Sequence, residues 1–148
     1  MVSNNITIAK DCILRTFSFL EKEGFKYVFK VLDNNDSIFS EKMDIQFNSE
    51  SKKREINISY SQIKLDNEVK YGFNLSISRL PYKDVTKDYL SFFSYLDSLG
   101  KDFNANMVNH FSELEAEEIL KKMAGALKNY AWALVMGEKW IEGFYPKW

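Results

Sequence analysis

Cysteine and histidine are nearly missing from this chain, with Cys12 and His110 the sole example of each. A single cysteine forms no intrachain disulfide, and neither a four-cysteine zinc site nor a paired-thiol redox motif can be built from it, which fits a reducing compartment. A single histidine leaves any histidine-based metal site dependent on carboxylates, so no metal and no cofactor is expected. A Cys12 nucleophile activated by His110 competes with the ordinary occupant of a helix, a small buried thiol, and the ordinary reading is preferred. The six glycines (24, 72, 100, 125, 137 and 143) are scattered and form no G-x-G pair, which removes the common phosphate loops. Long apolar runs are absent as well. None approaches the roughly 20 residues of a membrane span, and the opening MVSNNITIAKDC lacks the charged-then-apolar pattern of a signal peptide, so the expected location is cytoplasmic. Nor does one sign of charge dominate: 20 Lys and Arg against 21 Asp and Glu give a net charge of −1. Such a balance produces no strong field toward nucleic acid or anionic lipid.

Apolar and aromatic residues are plentiful. They make up 45% and 16% of 148 residues, enough to offset the entropy of ordering the chain and to form one core, so residues 1–148 are expected to be a single domain. From Ile6 to Leu20 the apolar residues Ile6, Ala9, Ile13, Phe17 and Leu20 recur every three or four positions. This predicts a first helix, capped by Asn4 or Asn5 and stopped at Gly24. The period then becomes two. Phe25, Tyr27, Phe29 and Val31 predict a strand ended by Asp33-Asn34-Asn35-Asp36; Met43, Ile45 and Phe47 predict a second, and Ile56, Ile58 and Tyr60 a third. Val69, Tyr71, Phe73, Leu75 and Ile77 predict a fourth. The short links between them favour an antiparallel meander with one face covered and one wet. After Pro81 a helix capped by Thr86 is expected to run through Tyr89, Leu90, Phe92, Phe93, Leu96 and Leu99 to Gly100. Ser112 and Glu115 have capping-box spacing and open a third helix through Ala116, Ile119, Leu120, Met123, Leu127, Tyr130, Ala131 and Leu134, with Gly137 ending or bending it. The expected class is α+β, with a four-stranded meander and two or three C-terminal helices on one face.

Three surface features each carry a structural and a functional reading. Glu113, Glu115, Glu117 and Glu118 crowd a helix start, where the macrodipole favours negative charge; the same residues could dock a basic protein. Gln46, Asn48, Asn57, Ser59, Ser61, Asn74, Ser76 and Ser78 form an uncharged sheet face that is either solvated or a binding surface. Trp140, Phe144, Tyr145 and Trp148 form an aromatic tail that either closes the core or stands as an interaction handle. In each case the structural reading is preferred. Carboxylates such as Asp33, Asp36 and Glu41 would be needed for an enzyme, and one sequence offers no way to pair them in space. The expectation is therefore no catalysis.

The order of elements carries a resemblance. A first helix ending in Glu23-Gly24-Phe25, four alternating strands, a Tyr/Leu/Phe-rich short helix and a final Leu/Lys/Tyr-rich helix ending near Gly137 resemble the small bacterial immunity-type proteins of polymorphic toxin systems. The resemblance implies stoichiometric binding and neutralisation of a cognate toxin domain. A toxin that acts on nucleic acid presents a basic cleft, which would meet Asp33, Asp36, Glu113, Glu117 and Glu118, with Trp140 and Trp148 as further contacts. A small secretion-type chaperone or adaptor is the alternative.

Overall fold

The computed structural model describes residues 3–32, 39–101 and 107–144. Helix α1 (Asn4–Thr16) begins at Ser3, whose hydroxyl accepts from the Ile6 amide at 3.1 Å. The cap thus falls one residue before Asn4, because both asparagines are already in the first helical turn. The helix is interrupted at Phe17, where the backbone turns at φ −102°, and resumes as α2 (Ser18–Lys22). Gly24 then takes φ 93°, the left-handed conformation expected of it.

Strands β1 (Lys26–Val31), β2 (Phe39–Ser49), β3 (Arg54–Leu65) and β4 (Glu68–Arg79) form the expected antiparallel meander. Its register puts Phe29, Ile45, Ile58 and Leu75 in one cross-strand row, and Phe47, Ile56 and Ile77 in the next. Those residues face the helices and, Phe29 apart, are buried. The sheet does not stop at four strands. Strand β5 (Tyr89–Ser91) and the two-residue β6 (Met107–Val108) both pair antiparallel with the outer edge of β4.

The expected single helix from Thr86 to Leu99 is therefore split. It comprises α3 (Val85–Asp88), strand β5, and α4 (Phe92–Ser98), and α3 is capped by Asp84, which accepts from the Thr86 amide, rather than by Thr86. An unpaired β4 edge recruits Tyr89–Ser91 because a row of open amides and carbonyls is satisfied that way. The same strand corrects the sheet's far face. Ser76 and Ser78 are buried rather than wet, because Ser91 and Tyr89 of β5 lie opposite them.

Helix α5 (Glu113–Tyr130) is capped by the Ser112 hydroxyl, which accepts from the Glu115 amide at 3.2 Å. It ends at Ala131, earlier than expected, and a short α6 (Trp132–Val135) follows before Gly137 at φ 78°. Tyr130 is exposed, while Ala116, Ile119, Leu120, Met123 and Leu127 are buried. α1 lies on β2 and β3, α4 on β4, and α5 against α1. The buried side chains of all these elements join in one apolar cluster.

Candidate functional site

The predicted contact residues do not converge. Asp33, Asp36 and Trp148 lie outside the described residues. Glu113 and Glu117 sit at the start of α5 but face α1, where the Arg15 guanidinium pairs with Glu117 and, at 3.5 Å, with Glu113. Glu117 is thus held by an internal ion pair, and of the predicted acidic contacts on α5 only Glu118 is exposed without such a partner among the described residues. Trp140 is half-buried in the chain's own tail. Its indole N–H donates to the Lys87 carbonyl at 2.6 Å, and the Arg54 and Arg79 guanidinium groups lie 4.9 and 5.5 Å from its ring centroid. This is the closing role rather than the handle.

Ligand atoms of Cys12, Glu113 and Glu117 all lie within 4.8 Å of one another. The chain supplies its own cation there, since Arg15 also reaches the Cys12 sulfur at 3.5 Å. Burial pushes the Cys12 thiol above its usual range against the pull of Arg15, so the thiol stays protonated.

Two surfaces remain open. The first is the edge strand β1, whose outer edge pairs with no element among the described residues. Tyr27, Val28 and Val31 are 41%, 47% and 46% exposed, a concentration of apolar surface in six residues that a free edge ordinarily avoids. The Leu32 amide donates to the Lys42 carbonyl, and antiparallel pairing alternates, so Lys26, Val28 and Lys30 bond inward to β2. The amides of Tyr27, Phe29 and Val31 therefore point outward. Below Phe29 the Lys10 ammonium lies 4.4 Å from the ring centroid, fixing the strand's inner side.

The second surface was not anticipated from the sequence. A cleft of about 530 Å³ opens where the β2–β3 turn, the end of β4 and the segment after α6 meet, and its lining includes Lys52, Lys53, Arg54, Arg79, Lys83 and Asp88. Five cations and one carboxylate thus share a wall of a chain whose net charge is −1. Gly137 closes one side so tightly that a Cβ there would stand 2.7 Å from the Lys52 carbonyl oxygen. Arg54 is 5% exposed and spends its N–H groups on carbonyls: Leu134 at 2.6 Å, Lys53 at 2.9 Å and Lys139 at 3.0 Å. Burial and then the neighbouring Arg79 charge push its pKa down. Arg79 is answered by Asp88 at 3.0 Å and Glu142 at 3.6 Å. Asp88 also accepts from the Lys83 and Asp84 amides, which fixes the loop after β4.

No family model, curated protein or solved structure matches the chain.

Proposed function

We propose that this chain is a non-catalytic binding module that accepts an extended segment of a protein partner along the free edge of β1, and that the partner is a toxin domain it neutralises. The observation that carries the reading is the open edge itself. Outward amides at Tyr27, Phe29 and Val31 supply main-chain affinity, and the exposed side chains of Tyr27, Val28 and Val31 supply selectivity. Lys26 and Lys30 flank the apolar positions and favour an acidic or neutral strand as the guest. The neutralising role rests on the order of elements, a helix, a meander and closing helices, which agrees with the immunity-type resemblance.

The test is Val31→Pro against the product of the neighbouring gene. Proline removes an outward amide, which β1 does not use for β2, so the fold should hold while the partner loses a main-chain bond. The expected result is about tenfold weaker binding at an unchanged melting temperature. Unchanged affinity would overturn strand addition, and failure of the wild-type chain to bind that product would overturn the toxin partner.

A further inference from the structure

We propose that the basic cleft at the β2–β3 turn is a binding site for the phosphate group of a small molecule, with Lys53 and Lys83 as its free cations and Arg54 and Lys52 as its fixed positive wall. The inference is independent of the β1 edge, because the cleft lies at the turn beyond β2 and involves no residue of β1.

Arg79 is matched by Asp88 and Glu142, and Lys52 donates to the Glu23 carbonyl at 2.6 Å. Arg54 is buried with carbonyl dipoles as its only described hydrogen-bond partners, and the Arg79 guanidinium also lies over the Trp140 ring. No carboxylate among the described residues touches Arg54 directly, and with Lys52, Lys53 and Lys83 beside it the wall keeps a positive excess over Asp88 and Glu142, which an anion in the cleft would answer. Lys53 and Lys83 are exposed and meet no carboxylate among the described residues.

The backbone adds a second line of support. Lys53 holds φ 56°, a conformation that costs a side-chain-bearing residue energy and that glycine adopts freely. Its carbonyl is pinned by the Leu80 amide and by Arg54, both at 2.9 Å, so the lysine is presented from a rigid turn. The volume, about 530 Å³, is within the range of small-molecule sites and leaves room for the group that bears the phosphate. Among the described residues no aromatic side chain lines the cleft, so recognition here is by charge rather than by ring stacking.

Inorganic pyrophosphate serves as the probe, with sodium chloride of matched ionic strength as the reference. Wild-type chain at a hundredfold excess of pyrophosphate over Kd should melt about 5–10 °C higher than in chloride. The double variant Lys53→Gln, Lys83→Gln should fold normally and lose about a hundredfold in affinity, two charge-assisted contacts at roughly tenfold each. Lys121→Gln with Lys122→Gln, on the exposed side of α5, should keep the full rise. The proposal is overturned if wild type shows no rise beyond chloride, or if the cleft variant rises as much as the α5 variant. It is equally overturned if single-stranded oligonucleotides bind with affinity that grows with length and pyrophosphate does not displace them, since the cations would then serve a nucleic-acid backbone.

Discussion

Asp44 shows how much a single side chain can set against the fold. It sits on the far face of β2, opposite Ser59, and its Oδ1 is buried without a hydrogen-bond donor, as is Oδ1 of the neighbouring Asn57. Burial raises its pKa above 3.8, and Lys42, the Asn57 amide and Lys30 only partly counter that. A carboxylate whose folded pKa exceeds its unfolded one binds its proton more tightly in the native state. Stability then falls as pH rises from about 3.8 through the native pKa, and stays at the lower level at neutrality. Asp44→Asn should therefore raise the melting temperature at pH 7 and flatten its decline between acid and neutral pH. Thermal melts of the two proteins across that range decide it; a variant that melts lower than wild type at pH 7 refutes the account. Glu55, raised by burial in the same way, adds to the decline.

At the scale of elements, the β2–β3 turn and the segment after α6 meet in a tight junction. Gly137 carries φ 78° and approaches the Lys52 carbonyl with no room for a Cβ. Gly137→Ala should cost about 2 kcal/mol from the left-handed backbone alone, with the clash in addition. Denaturant unfolding measures this, and a cost under ~0.5 kcal/mol would show that the turn yields. Elements differ in how far the sequence reveals them. The inward faces of β2, β3 and β4 were readable because Met43, Ile45 and Phe47, then Ile56, Ile58 and Tyr60, then Phe73, Leu75 and Ile77 alternate strictly, and all are buried. Strand β5 was not readable. Tyr89-Leu90-Ser91 is a strand because β4 offers an edge, and no local preference in three residues flanked by helical turns could announce it. The basic cleft was hidden for a related reason. Lys52, Lys53 and Arg54 read as a polar turn, and only the return of β4 brings Arg79 and Lys83 to the same end.

Across the whole molecule, one apolar cluster draws on residues from Ile6 to Val135, so no part has a core of its own. α1 touches β2 and β3 on one side and α5 on the other. Deleting residues 1–22 should therefore abolish the cooperative transition rather than merely lower it. Calorimetry of the shortened chain checks this, and a sharp melt within a few degrees of wild type would refute it.

The packing of α1 against α5 also has a consequence for synthesis. Arg15 waits for Glu113 and Glu117, whose codons are translated 98 and 102 residues later. The meander is complete by Arg79, but α1 has nothing to cover its α5-facing side until α5 has left the ribosome. At about 5–20 residues per second, the 98 to 102 residues between Arg15 and its two partners take roughly 5–20 s to add. For that time the nascent chain offers a partly uncovered amphipathic helix to whatever chaperone stands at the tunnel exit.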